Sequence, residues 1–248
     1  MGAAALVVLP LAALVQRAPW SSLGSDLSQH QAFAALRLSL ETSLGALALS
    51  ATLGVPLAWM LARKRFAGRA LVRALVTLPM VLPPVVGGIA LLYAFGRQGF
   101  AGHLLYDLTG WRFAFNTSGA ILAEAFVSMP FLVVTAEATF SSLDRRAEEA
   151  AATLGASAAY RFRRVTLPAV APALGAGAAL VWARALGEFG ATITFAGNFP
   201  GTTQTTPLLV YLDIESGHEG TALALSLVLL AVCLAVLVGL RGRWLGNR

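Results

Sequence analysis

Few side chains in this sequence have the types and spacing that catalysis requires. The three histidines, His30, His103 and His218, are scattered, and none has a partner at metal-binding spacing. The single cysteine, Cys233, lies in an apolar run and cannot form a disulfide within one chain. Neither an H-E-x-x-H nor a G-x-S-x-G motif is present. The sequence therefore predicts no catalytic residue and no metal site.

The sequence also lacks the motif that proteins use to hydrolyse nucleotides. A P-loop needs spaced glycines followed by Lys and then Ser or Thr, because backbone N–H groups and the ammonium group together hold the phosphates. The only lysine, Lys64, follows Arg63 and belongs to no such motif. We therefore expect no ATP hydrolysis and no bound cofactor on this chain.

One polar, helix-forming segment, residues 148–168, lies between two long apolar runs. Residues 147–154 are mostly Ala, Glu and Leu, which favour a helix even without burial. Gly155 suits a left-handed helix stop, and residues 156–164 can form a second short helix. The pattern predicts a helix, a turn and a helix within the loop 140–169.

The long apolar runs indicate a chain embedded in a membrane. Hydrophobic residues make up 57% of the sequence and charged residues only 12%, which is more apolar surface than one water-soluble core of this length needs. All but the first of the apolar runs reach the roughly 20 residues that cross about 30 Å of hydrocarbon. The first contains Pro10 and has no basic residue before it, which favours a short first helix over a signal peptide. We predict six spans, at residues 2–15, 36–62, 74–96, 117–139, 170–196 and 221–240.

The distribution of basic residues predicts the orientation of these spans. The segments after the second and fourth spans and the C-terminal tail hold thirteen of the 18 Lys and Arg, whereas the three opposite segments hold only Arg17, Arg97 and Arg112. Short loops rich in Lys and Arg stay in the cytoplasm. Both termini and the loop 140–169 are therefore expected there. The net charge of +6 reflects this topology, and no nucleic-acid partner is expected.

The polar loop segment resembles the EAA signature of ABC importer permeases. That signature is EAA, three residues, G, nine residues, then I-x-LP, and Val165 stands here in place of Ile. The matching residues are Glu149, Ala150, Ala151, Gly155, Val165, Leu167 and Pro168. Residues 77–88 and 183–211 are also similar to molybdate and tungstate permeases, with sulfate and thiosulfate permeases as close relatives. The resemblance covers the chain from the second span onward.

This resemblance implies an all-α membrane protein of type I ABC importer (MetI-like) architecture, with residues 1–248 as one permease domain in a bacterial or archaeal inner membrane. It also implies a homodimer, two ATP-binding subunits that hold the ATP and Mg, and an external oxyanion-binding protein. The motif would form a coupling helix that docks on the ATP-binding subunit. In that role Ala150 and Ala151 would allow close approach, Gly155 the turn, and Glu149 a carboxylate for the partner.

An oxyanion pathway should offer mild hydrogen-bond donors. A dianion that enters against an inside-negative potential climbs about 4.6 kcal/mol per 100 mV, and a deep binding well would trap it. Hydroxyl and amide side chains from the fifth span onward supply such donors: Thr192, Thr194, Asn198, Thr202, Thr203, Gln204, Thr205 and Thr206. The open alternative is that each hydroxyl only satisfies a backbone carbonyl in an apolar setting.

Two charged residues, Arg184 and Glu188, lie within the predicted fifth span. They are four residues apart, so an internal ion pair is available on one helix face. Pairing is favoured over direct contact with the anion, because unpaired charges inside a membrane are costly. If the pair separates during gating, Arg184 would become a transient positive site.

The function predicted from these features is that of a permease moving molybdate or tungstate by alternating access, powered by a partner ATPase. A sulfate or thiosulfate permease is the nearest alternative, because these anions differ from molybdate in size more than in charge. A secondary transporter would need intramembrane carboxylates for a coupling ion and usually an inverted repeat. A membrane-embedded enzyme is the weakest alternative, since no nucleophile and base set is present.

Overall fold

A computed structural model describes residues 2–244, with side chains described through residue 239. Over these residues every regular element is helical. The α-helices are α1 (Gly2–Gln16), α2 (Leu23–Ser28), α3 (His30–Arg63), α4 (Arg69–Thr77), α5 (Pro84–Phe95), α6 (Phe100–Thr109), α7 (Thr117–Ser142), α8 (Arg146–Thr153), α9 (Ala158–Arg161), α10 (Leu167–Leu186), α11 (Gly190–Phe195), α12 (Thr206–Glu215) and α13 (Glu219–Trp244). A π-helical segment, Phe162–Thr166, joins α9 to α10.

The described helices confirm a polytopic, all-helical membrane protein. Four of them are long and apolar enough to cross a bilayer: His30–Arg63, Thr117–Ser142, Ala158–Leu186 and Glu219–Gly239. A fifth crossing is available if α4 and α5 together count as one bent span. Helix α1 has 15 residues, which is shorter than a full crossing requires.

The span predicted at residues 74–96 is not one continuous helix. Helix α4 ends at Thr77, and the chain turns by 118° before α5 begins at Pro84. Three prolines, Pro79, Pro83 and Pro84, cause the break, because proline lacks an N–H donor and disfavours helical conformation in the residue before it. Pro84 then begins α5, at a position where its missing N–H has no intrahelical partner to lose.

The predicted fifth span, 170–196, is also misplaced at both ends. The helix begins at Ala158 and ends at Leu186, where Gly187 forms the C-cap. The carboxylate of Glu188 accepts the Ala191 N–H at 3.0 Å, and the chain restarts there as the short helix α11. Residues 190–196 are as apolar as the span before them, so hydropathy alone does not mark this break.

Helices α3, α7 and α10 form the centre of the bundle. Contacts from Gly45 to Ile121 and from Gly54 to Val133 show that α3 and α7 run in the same direction. Helix α10 runs in the opposite direction, since Trp182 near its end donates to Ser43 near the start of α3, at 3.0 Å. Helix α5 is likewise antiparallel to α7 and packs on α11.

The bundle therefore has two distinct ends. The basic end is defined as the one where α3 and α7 finish and α10 starts, and the opposite end as the one where α3 and α7 start. Helices α8 and α9 lie at the basic end. The α5–α7 connection and helix α12 lie at the opposite end. Helix α12 has ten residues, which is too short to cross the bilayer.

Candidate functional site

The polar segment of residues 143–166, named here the elbow, has the predicted helix, turn and helix. Gly155 has φ of 81°, in the left-handed region, and the Ala156 N–H bonds the Ala151 carbonyl at 3.0 Å to close helix α8. A Cβ at Gly155 would meet nothing within 4 Å, so the backbone angle rather than space favours glycine there. The left-handed stop predicted at Gly155 is therefore confirmed. The second helix, predicted at 156–164 and separate from the next span, begins at Ala158 and continues through the π-helical segment into α10 without a break.

The signature residues fall on two faces of the elbow. Glu149 and Ala150 are exposed on α8, and Ala151 is half-buried behind them. Val165 and Leu167 are half-buried where the π-helical segment joins α10. Gly155 forms the turn after α8, and Pro168 is exposed near the start of α10.

The tip of the elbow carries an apolar side chain that the sequence reasoning did not single out. Leu154, at the C-cap of α8, is 87% exposed although it is fully apolar. An isolated exposed leucine needs no explanation on a protein surface. Here, however, Leu154 directly precedes the left-handed turn, beside the exposed Glu149 and Ala150, so one face of α8 presents a small apolar contact surface.

A partly buried ion pair ties the elbow to the transmembrane bundle. Arg63, at the end of α3, donates from Nη2 to Oε1 of Glu148 at 3.0 Å, and its side chain is only 9% exposed. The Thr166 hydroxyl donates to the same carboxylate oxygen at 2.6 Å. Glu148, on α8, therefore contacts both the end of α3 and the π-helical segment that leads into α10. This contact was not predictable from local spacing, because Arg63 and Glu148 are 85 residues apart.

A cavity of about 280 Å³ lies beneath the elbow. The buried pair forms part of its wall, together with Trp59, Phe162 and the charged residues Arg145, Glu149 and Arg161. The rings of Trp59 and Phe162 meet edge to face, 6.1 Å apart. The π-helical segment containing Phe162 borders this cavity, and π-helical turns occur often at functional sites.

The predicted ion pair inside the bundle is present. Arg184 Nη1 lies 2.7 Å from Oε2 of Glu188. The Arg184 side chain is 33% exposed, whereas that of Glu188 is 2% exposed. The two residues are not on one continuous helix as expected, since α10 ends between them at Leu186. Glu188 therefore also fixes the start of α11 through its bond to Ala191 N–H.

Two further carboxylates within the bundle face protein neighbours. Glu124 is buried, accepts the Thr42 hydroxyl at 2.8 Å through Oε1, and has no partner at Oε2 among the described groups. Glu137 lies nearer the basic end and is held by the guanidinium groups of Arg73 and Arg69. The Glu137 cluster fixes the amphipathic helix α4 against α7.

The predicted pathway donors divide into two groups. Thr194 donates to the carbonyls of Gly190 and Ala191, which is the backbone role that the alternative interpretation gives. The Thr203 hydroxyl accepts the Phe199 N–H at 2.9 Å. Thr202 is exposed, and its carbonyl accepts from Thr117. The hydroxyls of Thr194 and Thr203 therefore bond the local backbone, whereas Thr202 contacts the start of α7 through its carbonyl.

The other pathway candidates hold unsatisfied polar atoms. Eleven buried side-chain atoms have no hydrogen-bond partner among the described residues, and five of them lie between residues 192 and 206. Such atoms are costly to bury, and this concentration indicates a segment that accepts further polar partners. The five atoms are Thr192 Oγ1, Asn198 Oδ1, Gln204 Nε2, Thr205 Oγ1 and Thr206 Oγ1.

A polytopic helical bundle with a helix, turn and helix elbow at one end is typical of the membrane subunit of a transporter. Residues 54–247 match the family described as "Binding-protein-dependent transport system inner membrane component". The chain belongs to this family. It is a multi-pass inner-membrane permease of an ABC importer, and the expectation that it is a transport subunit rather than an enzyme is confirmed.

Individual relatives are similar over nearly the whole chain. The "Molybdenum transport system permease protein ModB" of Mycobacterium tuberculosis is 44% identical over 239 residues, covering 96% of this chain and 89% of the relative. The "Sulfate transport system permease protein CysT" of Salmonella typhimurium is 37% identical, covering 94% of this chain and 84% of the relative. These matches confirm the family resemblance found in the sequence.

A solved structure shares the fold. A chain of a bacterial alginate ABC transporter, crystallised with an alginate-bound periplasmic protein, aligns with a TM-score of 0.72 and 18% identity. The alignment covers 92% of this chain and 86% of that chain. The likeness shows the fold of an ABC importer permease.

Proposed function

We propose that this permease moves a tetrahedral oxyanion, molybdate or tungstate, into the cell by alternating access. The observation that carries the substrate class is the 44% identity, over 96% of this chain, to a permease named for molybdenum transport. The sulfate permease relative is less similar, at 37% identity. Sulfate or thiosulfate is therefore the second candidate.

The proposed complex contains two copies of this permease, two ATP-binding subunits and an external oxyanion-binding protein. ATP and Mg belong to the ATP-binding subunits, and residues 1–248 act as one permease domain. We place both termini and the basic end of the bundle in the cytoplasm, because thirteen of the 18 basic residues lie in the segments on that side. With α1 as a short first crossing and α4 with α5 as one bent crossing, the chain has six spans.

The elbow is the proposed docking element for the ATP-binding subunit. Its exposed face presents Glu149, Ala150 and Leu154, which offer a carboxylate, a small residue for close approach and an apolar contact. The other face is fixed to α3 and α10 through Glu148. Movement of the docked subunit is therefore transmitted directly to two transmembrane helices.

The proposed pathway uses the polar atoms between α11 and α12. Thr192 Oγ1 and Gln204 Nε2 are buried donors without a partner among the described residues, and a passing oxyanion can accept from them when the bundle opens. The unpartnered atom of Asn198 is its amide oxygen, which accepts only and would bond hydration water. Arg184 is a second candidate contact, since a third of its side chain is exposed while Glu188 holds the guanidinium. The hydroxyl and amide groups are mild donors, which suits a transported ion that must be released.

Uptake by the reconstituted complex tests the proposal. Proteoliposomes holding this chain, its ATP-binding subunit and its binding protein should accumulate labelled molybdate or tungstate when ATP is supplied. Leu154→Asp should abolish uptake and release the ATP-binding subunit, because it places a charge in the apolar part of the docking face. Copurification of the two subunits and uptake are measured on the same preparations.

Ser141→Asp is the matched control, since it adds the same charge at an exposed position on the same side of the membrane, at the end of α7. This variant should transport normally. Uptake of sulfate in preference to molybdate would replace the proposed substrate with the second candidate. Normal subunit binding by Leu154→Asp would show that the elbow tip does not contribute to docking.

A further inference from the structure

A second charged cavity lies at the opposite end of the bundle from the elbow. It has a volume of about 320 Å³ and lies between the end of α5 and the start of α7. Its wall contains Arg97, Arg112 and Asn116, with Leu92, Ala114 and Phe115 completing it. No acidic side chain is among these wall residues, so the described cavity has the charge of two guanidinium groups.

These arginines are unusual for their side of the membrane. The segments at this end hold only three basic residues, and two of the three line this one cavity. Among the described side chains, Arg97 and Arg112 form no ion pair. Two unpaired guanidinium groups at one concave site favour an anion, because arginine bonds oxyanions through two parallel N–H groups.

The cavity wall is held rigidly. The guanidinium group of Arg97 lies over the ring of Tyr106 on α6, 5.0 Å from its centroid. Asn116 caps α7 by accepting the Ser118 N–H, and its amide donates to the Arg112 carbonyl. Both arginines are thus attached to ordered elements, which lowers the entropy lost when they bind a ligand.

The backbone at this cavity is strained. Phe115 has φ of 59°, and it is the one residue other than glycine with positive φ in the described chain. A bulky side chain rarely adopts this conformation. Its ring packs edge to face on Phe199 at 6.3 Å, and its N–H bonds the Phe195 carbonyl, so surrounding packing maintains the strain. Strained residues of this kind cluster at ligand sites.

We propose that Arg97 and Arg112 form an outer transit site that receives the tetrahedral oxyanion before it enters the transmembrane pathway. The inference rests on the proposed function, which supplies the sidedness and the class of ligand. The cavity is open and both arginines are exposed, so the oxyanion binds weakly and is released fast. A transit site needs both properties, because tight binding would stop transport.

Direct binding and uptake together test the site. The permease with its ATP-binding subunit, in nanodiscs and without the binding protein, is dialysed against labelled molybdate, tungstate and sulfate. The variants are Arg97→Gln with Arg112→Gln, and Arg97→Lys with Arg112→Lys. Arg17→Gln is the matched control, because it removes the third basic residue of this side from an exposed position outside the cavity. Copurification of the ATP-binding subunit verifies folding.

The double Gln variant should bind the oxyanion at least about tenfold more weakly, since it loses two charge-assisted contacts. Its maximal uptake rate should fall by a similar factor, while the binding-protein concentration that gives half-maximal uptake stays unchanged. The double Lys variant keeps the positive charge but loses the parallel N–H pairs, so its affinity for the oxyanion should lie between those of wild type and the double Gln variant. The Arg17 variant should match wild type in every measurement.

Two results would overturn the site. The first is unchanged oxyanion binding by the double Gln variant; if the half-saturating concentration of binding protein also rises, these arginines are instead docking contacts for that protein. The second is an equal loss of oxyanion binding in the Arg17 variant. An error in the proposed substrate is detected separately, because the wild-type complex would then take up sulfate in place of molybdate. The same variants would in that case be compared in their binding and uptake of sulfate.

Discussion

At the scale of single residues, the contact between Glu148 and Arg63 makes the clearest prediction. Glu148→Gln removes the charge partner of an arginine that is 9% exposed, and leaves a buried cation without compensation. We expect the free energy of unfolding to fall by about 2 kcal/mol or more, and ATP hydrolysis to continue with less transport for each ATP. Titration with SDS measures the first quantity, and uptake per ATP hydrolysed measures the second.

Two further variants make this prediction specific. Arg63→Met combined with Glu148→Gln removes both charges, so its stability should recover toward wild type. Glu149→Gln changes the neighbouring carboxylate, which is exposed, and should leave the free energy of unfolding within about 0.5 kcal/mol. Equal destabilisation by Glu148→Gln and Glu149→Gln would show that the buried pair has no special role.

Residue contacts were predictable from the sequence only where they are local. The left-handed turn at Gly155 and the Arg184–Glu188 pair both follow from spacings of a few residues. The Arg63–Glu148 pair and the cavity of Arg97 and Arg112 depend on how distant helices pack, which no short window of sequence contains. The sequence shows that Arg97 and Arg112 lie in segments that otherwise hold almost no basic residues. It does not show that the two arginines line the same cavity.

At the scale of helices, the contact between α5 and α11 depends on a glycine. A Cβ added at Gly88 would lie 1.7 Å from Thr194 Oγ1 and 2.8 Å from the Ala191 carbonyl oxygen. Gly88→Ala should therefore separate the two helices and lower the free energy of unfolding by about 1–3 kcal/mol. It should also slow uptake, since α11 leads into the proposed pathway. SDS titration and uptake measure the two effects.

Gly239→Ala is the control for this helix contact, because a Cβ there meets nothing within 4 Å. It should leave stability and uptake unchanged. Full stability of Gly88→Ala would mean that α5 and α11 are not closely packed in the membrane.

Helix existence was predictable, whereas helix direction and ends were not. Hydropathy located every long apolar run, because about 20 apolar residues are needed wherever a helix crosses. It did not show the 118° bend between α4 and α5, although the prolines that cause the bend were visible in the sequence. It also joined α10 to α11, since Gly187 and one buried carboxylate, Glu188, interrupt an otherwise apolar segment.

At the scale of the whole molecule, the fold places two charged sites at opposite ends of one bundle. The elbow and its half-buried Glu148 lie at the basic end, and the cavity of Arg97 and Arg112 lies at the other. Helix α7 starts beside that cavity and ends beside the elbow, while Glu124 and Glu137 on its length contact α3 and α4. Displacement of the elbow can therefore reach the outer cavity through a single continuous helix.

The last prediction concerns the energy source of the whole complex. Because ATP hydrolysis by the partner subunit is the proposed energy source, uptake should continue when ionophores remove every ion gradient and the potential. Import of a dianion against an inside-negative potential of 100 mV costs about 4.6 kcal/mol. The limiting accumulation ratio should rise when the potential is removed, because that electrical cost disappears. Labelled oxyanion uptake into ATP-loaded proteoliposomes, with the potential set by potassium and valinomycin, measures both. Loss of uptake on removing the gradients, with ATP still present, would instead indicate transport coupled to an ion.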